Sequence, residues 1–375
     1  MGPSQAGRDL LKRTLTLALA LLALLSLAPA GAQAVPPRFF GIVPQTGLGD
    51  ADIRYMRAGR IGSVRLPVPW DGVQPTRDGG YHWGGIDSAV AVAARGGVEV
   101  LPFLYGTPRW LARRPTTLPL SRRARGPWLA FVRAAVERYG PGGEFWAERT
   151  PGIVKYEPAI PRPKPIRVWQ VWNEANFFYF AFPVSPSRYA KLLKLTHRQI
   201  KRADPRARVI LSGLFGDPDE AGPRGMDAVD FVERIYRVRG IKSKFDGVAL
   251  HPYAIRARDL MNMTEEMREV MLRHGDRRAG LYITEMGWGS EPNYNQVAFE
   301  QGIRGQVRQL RDSYRYLIGE RRRLNLKGTY WFTWKDSEGF CSFCDSTGFF
   351  RKGERFRPKP AWHAFVRLTG GRPRP

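Results

Sequence analysis

The chain has 375 residues, with 60 lysines and arginines against 34 aspartates and glutamates, a formal net charge of +26, and 43% of its residues are apolar. This composition excludes a disordered chain, and the lack of a fixed period along the sequence excludes collagen, coiled coils and repeat arrays. Closed α/β barrels of this length fold as one unit, so a single large core is allowed.

The first 34 residues have the features of a secretory leader. Three basic side chains precede an apolar stretch at 15–27, and the small-x-small pattern of a cleavage site follows at 32–34. We expect cleavage after Ala34 and a secreted or extracytoplasmic protein. The alternative is an uncleaved membrane anchor, but the apolar run is shorter than the roughly 18 residues that mark a spanning helix. We therefore expect no stable membrane span after cleavage.

Short β-rich runs alternate with helical stretches along 35–375, which is the pattern of βα units that build a parallel sheet. In chain order, the predicted strands are 39–43, 63–68, 98–104, 167–172, 208–213, 247–251, 281–285 and 328–334. The predicted helices are 86–95, 128–139, 186–203, 227–239, 265–273, 295–318 and 359–368.

Eight such strands in a row predict an α/β fold, a single-domain (β/α)8 TIM barrel. An open, doubly wound sheet is the alternative, and the lack of a G-x-G-x-x-G pattern after the first strand disfavours it. The segment 140–165 is rich in glycine, proline and aromatic residues, and we expect it to be a surface insertion on the barrel.

The cysteines and histidines give no sign of a metal centre. Cys341 and Cys344 form a C-x-x-C pair, which in an exported protein more often closes a small loop than binds metal. The histidines show no spacing such as H-E-x-x-H, and no glycine-rich phosphate loop is present. We expect neither a metal nor a cofactor.

The excess of positive charge, with a sequence pI of about 10.6, is also the signature of nucleic-acid binders. The basic residues are spread over the whole chain, and runs such as 122–125 and 321–323 are typical of solvated helix ends. We expect no nucleic-acid partner, and a possible attraction to acidic glycans or envelope surfaces. A basic envelope or nucleic-acid binder stays as an alternative, to be tested by the salt dependence of DNA binding.

Two glutamates end apolar strands, Glu174 on the fourth and Glu285 on the seventh. Active sites of barrel enzymes lie at the carboxyl ends of the strands, so these side chains are candidates for chemistry. Partial desolvation there can raise the pKa of a carboxyl group and let it donate a proton. Glycosidic bond cleavage requires two carboxyl groups, one to protonate the leaving oxygen and one to attack or to activate water. A structural ion pair with one of the many arginines is the alternative for either glutamate.

Several strand ends together resemble the retaining glycoside hydrolases of clan A. The matching residues are Trp172-Asn173-Glu174, His251-Pro252-Tyr253, Thr284-Glu285 and Tyr330-Trp331. Within the clan the chain most resembles family 39 and its bacterial polysaccharide-cleaving relatives. Families 5, 42 and 51 stay as alternatives. The resemblance covers about residues 39–370 and implies a TIM barrel that hydrolyses β-linked oligo- or polysaccharides with retention.

The resemblance implies a role for each matching residue. Glu174 is the expected acid/base, and Asn173 the expected partner of the sugar 2-hydroxyl. Glu285 is the expected nucleophile, held in the ionised form by Arg65 and Tyr253.

Three further residues are expected to contact the substrate. His251 binds substrate or orients a carboxylate, and its alternative is a polar core residue. Trp331 and Trp334 compete for the aromatic floor under the sugar, and strand alternation leaves both choices open. The aromatic run 177–180, directly after the acid/base candidate, is expected to form a wall of the substrate cleft. A noncatalytic extracellular glycan-binding barrel is the alternative function, because it would keep the same pocket without turnover.

Overall fold

Eight parallel strands, hydrogen-bonded in sequence order and closed by pairing of the last with the first, form a barrel in the computed structural model. The structure describes residues 35–149, 159–160, 162–218, 222–292, 298–339, 341 and 343–375. The predicted leader, 1–34, therefore lies outside the described residues. Pro37–Pro375 form one compact unit.

The strands and helices alternate as a (β/α)8 barrel requires. The strands are β1 (Phe40–Val43), β2 (Ser63–Pro69), β3 (Glu99–Tyr105), β4 (Val168–Val171), β5 (Arg208–Phe215), β6 (Gly247–His251), β7 (Gly280–Met286) and β8 (Leu326–Phe332). The described helices are α1 (Asp50–Ala58), α2 (Trp70–Val73), α3 (Gly84–Arg95), α4 (Arg122–Tyr139), α5 (Glu144–Ala147), α6 (Pro186–Ala203), α7 (Ala228–Tyr236), α8 (Ala257–Arg273), α9 (Gly302–Glu320) and α10 (Pro360–Thr369). Single turns of 3-10 helix occur at Pro37–Phe39, Lys242–Lys244 and Cys344–Ser346.

The predicted barrel is confirmed, and each predicted strand overlaps an observed one. The largest difference at a helix start is α8, which begins at Ala257 because Leu260 and Thr264 continue its buried face toward the N-terminus. Helix α1 is absent from the prediction, because its composition is mostly polar and only two apolar side chains, Ile53 and Met56, are buried. The expected insertion at 140–165 lies partly outside the described residues, and its described part contains α5.

The barrel interior is filled by large side chains. Tyr282, Tyr330 and Phe332 point inward with smaller neighbours such as Ala249 and form one buried cluster. Close packing at the first strand depends on a glycine, because a Cβ atom on Gly41 would lie 2.2 Å from the ring of Tyr330. This packed interior supports a layer of polar side chains at the carboxyl ends of the strands.

The described helices surround the barrel as an amphipathic layer. Helix α6 buries Leu192, Leu193 and Ile200 on one side and exposes basic residues on the other. None of the helices in the described part of the chain is long and apolar enough to cross a bilayer.

Candidate active site

A buried cluster of polar side chains closes the barrel interior at the carboxyl ends of the strands. One side-chain oxygen of Glu174, one of Glu285 and a ring nitrogen of His251 all lie within 4.8 Å of one another. Glu174 follows β4, His251 ends β6, and Glu285 lies near the end of β7. The two carboxylates predicted from strand ends are thus brought together, although they are far apart in the chain.

Arg65, from β2, organises the cluster. Its guanidinium donates three hydrogen bonds: from Nε to Gln170 Oε1 at 2.9 Å, from Nη2 to Asn173 Oδ1 at 2.5 Å, and from Nη1 to Glu285 Oε1 at 2.5 Å. It is fully buried and stacks on the ring of Phe103, with 4.0 Å from Cζ to the ring centroid. Hydrogen bonding, ion pairing and stacking together offset the cost of burying its charge.

The backbone leaves strand geometry around Asn173, and this brings two consecutive side chains into the cluster. Trp172 has φ +73° and Glu174 has φ +36°, both in the left-handed region that non-glycine residues rarely adopt. In a regular strand, Asn173 and Glu174 would point to opposite faces. Here Asn173 contacts Arg65 and Glu174 contacts His251, so the strained turn assembles the site.

A glycine on β5 makes room for His251. Nδ1 of His251 and Oε1 of Glu174 share a hydrogen bond of 2.8 Å. A Cβ atom on Gly213 would lie 1.9 Å from Nε2 of the same ring, so no other residue fits there without moving the imidazole. The Gly213 carbonyl also accepts a 2.8 Å hydrogen bond from the Glu174 backbone N–H. Gly213 therefore contacts both members of the Glu174–His251 pair.

Glu285 is held by two donors. Arg65 binds Oε1, and the Tyr253 hydroxyl donates to Oε2 at 2.9 Å. Burial raises the pKa of Tyr253 well above its usual value, and the charge of Glu285 adds to this effect. Tyr253 thus remains a protonated donor at neutral pH.

The two carboxyl groups differ in their affinity for a proton. Burial raises the pKa of Glu174 well above its usual value, and the nearby charge of Glu285 raises it further. Burial also raises the pKa of Glu285, but the charge of Arg65 and the hydrogen bonds from Tyr253 and Arg65 oppose that rise. Because Glu285 has the closer positive charge, the shared proton of the pair resides on Glu174.

His251 is neutral in this environment. Burial lowers its pKa well below the usual value, and the positive charge of Arg65 lowers it further. Its Nε2 atom is buried and has no hydrogen-bond partner among the described residues. The ring can therefore exchange only one hydrogen bond within the cluster, the one with Glu174.

The donor set of Glu174, His251 and Glu285 could in principle surround a cation. Arg65 already places a fixed, buried positive charge 2.5 Å from Glu285, and a second cation beside it would be repelled. The arrangement favours proton transfer over metal binding, and the expectation of no metal stays a prediction.

Aromatic rings extend from the cluster toward solvent. Tyr253 lies against Phe215, with ring centroids 5.8 Å apart, and Phe215 stacks on Phe177 at 5.2 Å. Phe177 contacts Tyr179, whose side chain is 64% exposed. Phe177 and Tyr179, from the run 177–180, therefore continue the series of ring contacts that begins at Tyr253, and the expected role of the run as a cleft wall stays a prediction.

The predicted loop between the cysteines lies at the same end of the barrel. Cys341 and Cys344 form a disulfide, which confirms the expected pairing. Cys344 packs in the buried cluster that contains Tyr253, and the neighbouring Phe343 ring lies 5.3 Å from the ring of Tyr253. The disulfide thus belongs to the wall next to the carboxylates.

Trp331 and Trp334 lie away from the cluster, which corrects the expectation that one of them forms the floor under a sugar. Both are fully buried. Trp331 stacks on Phe349 and donates to the Thr347 carbonyl, while Trp334 packs against Trp362 of α10. The physical reason is strand alternation, since β8 turns its residues 330 and 332 inward and ends before 334.

Two side chains of the site were not predicted from the sequence. Gln170 holds Arg65, and its Nε2 is buried without a hydrogen-bond partner among the described residues. Phe332 points into the barrel with its ring centroid 6.3 Å from that of Tyr253. Period-two alternation was the available signal. Position 170 has the same parity as Glu174, and position 332 has the same parity as Tyr330, which lies in one of the matching motifs.

Comparisons with known proteins identify the fold. No family model matches the sequence, and no curated protein matches it. The structure is similar to a family 39 glycoside hydrolase from the gut symbiont Bacteroides cellulosilyticus WH2, with 18% identity over 90% of this chain and 65% of that one, and a TM-score of 0.64. It is also similar to a GH39 β-xylosidase from Caulobacter crescentus, with 17% identity over 90% of this chain and 73% of that one, and a TM-score of 0.61.

A glycoside hydrolase domain of another family has a barrel of nearly the same extent. The GH53 catalytic domain of Ignisphaera aggregans is 16% identical over 90% of this chain and 98% of that one, with a TM-score of 0.60. At such low identity the likeness concerns the backbone, and fold alone does not specify activity. The chain therefore has the (β/α)8 barrel fold of the family 39 and other clan A glycoside hydrolases.

Proposed function

We propose that this protein is a secreted, retaining glycoside hydrolase that cleaves O-glycosidic bonds of a β-linked oligo- or polysaccharide. The observation that carries the proposal is the closeness of Glu174 and Glu285, whose oxygens lie within 4.8 Å of each other. Retaining enzymes hold their two carboxyl groups about 5–5.5 Å apart, whereas inverting enzymes need about 6.5–9.5 Å to admit a water molecule.

In the first step, Glu285 attacks the anomeric carbon and Glu174 gives its proton to the glycosidic oxygen. The bond from carbon to the leaving oxygen breaks as the carbon–Glu285 ester bond forms, and Glu174 becomes ionised. In this proposal the neutral His251 ring carries its proton on Nδ1 and donates a hydrogen bond to Oε1 of Glu174, so the proton that is transferred to the leaving group is carried by the other oxygen.

In the second step, ionised Glu174 removes a proton from water, and the hydroxyl oxygen attacks the anomeric carbon. The ester bond to Glu285 breaks and the sugar leaves with its original configuration. Asn173 supports both steps in this proposal, because Arg65 fixes its Oδ1 and leaves the amide nitrogen to donate to the sugar 2-hydroxyl.

Two observations support export. Residues 1–34 have the pattern of a cleavable leader, and Cys341 and Cys344 are joined by a disulfide. Disulfides persist in oxidising compartments and are rare in the cytosol of most organisms. Because one of the similar structures is that of a β-xylosidase, aryl β-xylosides are the first substrates to test.

The stereochemistry of the product tests the proposed function. We expect the purified mature protein to release a β-configured sugar as the first product from an activated aryl β-glycoside, as followed by time-resolved proton NMR of the anomeric signal. An α-configured first product would contradict retention. Binding of β-linked oligosaccharides without any product would instead identify a noncatalytic glycan-binding barrel.

Replacement of Gly213 by alanine is predicted to damage the acid/base step. The new methyl group must displace the His251 ring, which removes its hydrogen bond to Glu174. We expect kcat/KM to fall by about 10²-fold for aryl glycosides with poor leaving groups and much less for activated ones, since only the former need full protonation. Gly213 would thereby act as a positioning residue.

The matched control is Gly216→Ala, three residues along the chain. There the added Cβ atom meets mainly the flexible side chain of Met263, at 2.6 Å from its sulfur. A double-mutant cycle with His251→Ala separates the causes, because Gly213→Ala should have little further effect once the ring is gone. Equal losses for all leaving groups, or additive effects in the cycle, would show a merely structural role.

A further inference from the structure

The end of the barrel opposite the carboxylates carries a strongly basic groove. Its volume is ≈ 500 Å³, and it lies between the C-terminal half of α6 and the loop before β6. Its charged lining residues are Lys194, Arg198, Lys201, Arg202, Arg239 and Lys244. Among the residues that the structure describes, no carboxylate lines this groove, so its positive charges lie close together without an acidic side chain in the wall.

A second basic cavity adjoins the first. It has a volume of ≈ 700 Å³, and its lining includes Lys242 and Asp246, which lie on either side of Lys244 in the loop before β6. Its other cationic side chains are Arg208, Arg277, Arg278 and Lys327. Since Lys244 lines the first cavity and Lys242 the second, the two form one basic band across this end of the barrel.

The few acidic side chains of the band are already engaged. Asp276 accepts hydrogen bonds from the Tyr236 hydroxyl at 2.9 Å and from the Ala279 N–H at 3.1 Å. Asp246 accepts from the Val209 N–H at 2.8 Å, and its distance to Lys201 Nζ is 3.8 Å. Of the basic side chains that α6 contributes to the groove, only Lys201 therefore has one of these two carboxylates within 4 Å.

The surroundings of His197, which lines the first cavity, reflect this uncompensated charge. Its pKa is lowered to about 4, chiefly by burial and further by the positive charges of Lys244 and Lys201, which outweigh the opposing charge of Asp246. A folded surface that keeps repelling cations together in a concave groove is suited to an anionic ligand that neutralises them.

The location separates this band from the reaction. The band is formed by the C-terminal half of α6, the segments that enter β5, β6 and β7, and Lys327 near the start of β8, whereas the carboxylates lie at the carboxyl ends of the barrel strands. The five residues of β6 alone put roughly 16 Å between the two ends, at about 3.3 Å per residue. A ligand on the band would therefore leave the carboxylate cluster free.

We propose that this basic band is a docking surface for an acidic polysaccharide, a chain that carries regularly spaced carboxylates. Arginine guanidinium groups bind carboxylates through two parallel hydrogen bonds. Two arginines and two lysines of the first groove lie on one face of α6. Single-stranded nucleic acids would call for exposed aromatic stacking surfaces. The only aromatic side chain that the two cavities include among the described residues is Phe245, which is 6% exposed.

The experiment measures binding of the mature full chain to polygalacturonate at several salt concentrations. It uses the Glu285→Gln background, so that neither hydrolysis nor failure of the proposed activity affects the result. The groove variant carries Arg198→Glu, Arg202→Glu and Lys244→Glu. The matched control, Arg122→Glu, Arg123→Glu and Arg125→Glu, makes the same change of net charge at exposed positions of α4.

We expect the groove variant to bind polygalacturonate at least about tenfold more weakly at low salt, with a shallower salt dependence, while the control binds as the parent does. Equal weakening in both variants would overturn the proposal, because net charge alone would then explain binding. Tighter groove-dependent binding to duplex DNA or to anionic lipid vesicles than to polygalacturonate would also overturn it. If charge reversal disturbs folding, the corresponding glutamine variant of the same three positions gives the same comparison.

Discussion

Replacement of Glu285 by alanine is expected to lower kcat/KM for aryl β-glycosides by about 10⁴- to 10⁶-fold, the range seen when a nucleophile or its essential partner is removed. The reason is that no other described carboxylate reaches the anomeric carbon from the face opposite Glu174 in the proposed geometry. Azide should restore turnover by occupying the vacated space, and the product should be the α-glycosyl azide. Wild-type turnover in Glu285→Ala would refute the assignment of the nucleophile.

Folding has to be separated from chemistry in this variant. Removal of Glu285 leaves the buried charge of Arg65 without its carboxylate, and breaking a buried pair in this way costs about 3–5 kcal/mol. Glu285→Gln keeps a hydrogen-bond acceptor for Arg65 and should unfold at a higher temperature than Glu285→Ala, yet it should be as inactive. Asp276→Asn, a buried carboxylate change at the opposite end of the barrel, is the control and should keep turnover per folded molecule.

Replacement of Glu174 by alanine is expected to produce a loss that depends on the leaving group. General acid catalysis contributes about 10²- to 10⁴-fold, so substrates with poor leaving groups should lose activity in that range. Activated aryl glycosides should lose far less in the first step, because their leaving groups depart without a proton. Azide should accelerate the second step and give the β-glycosyl azide, the opposite anomer to that from Glu285→Ala. Identical anomers from the two variants would contradict their assignment to opposite faces.

The pH dependence of the wild-type enzyme follows from the same pair. Activity requires Glu174 protonated and Glu285 ionised. The activity should therefore decrease when the pH rises above the upper pKa of the pair and also when the pH falls below the lower pKa. Because burial and the charge of Glu285 raise the pKa of Glu174, the alkaline limb of kcat/KM should lie above the range of an ordinary glutamate. That limb should be absent in Glu174→Gln with an activated substrate.

Stability should respond to pH with a definite sign. Since the pKa of Glu174 is higher in the folded state than in the unfolded state, the folded state binds more protons between these two values. Stability supplied by this group is therefore full at low pH and declines as pH rises through the folded-state pKa. Glu174→Gln removes this titration, so its melting temperature relative to the wild type should increase with pH between the unfolded-state and folded-state pKa values, as measured by thermal unfolding from the ordinary glutamate range up to alkaline pH.

More of the fold than of the candidate active site could be predicted from the sequence. Strands and helices are local: period-two or continuous apolar runs of four to eight residues identify a strand without knowledge of its partners. Helix α1 escaped prediction because only Ile53 and Met56 mark its buried face. Glu174 and Glu285 could be nominated because each ends an apolar strand, and the carboxyl ends of barrel strands meet on one side.

The order of eight βα units, the paired cysteines and the two strand-end glutamates could all be read from the linear chain, because each depends on near neighbours or on the closure rule of the barrel. Tertiary structure alone decided that Trp331 and Trp334 face away from the carboxylates and that Gly213 leaves space for His251. It also decided which of the many basic residues share one groove. These features depend on the register and tilt between strands and helices that are distant in sequence, and no local pattern encodes that relation.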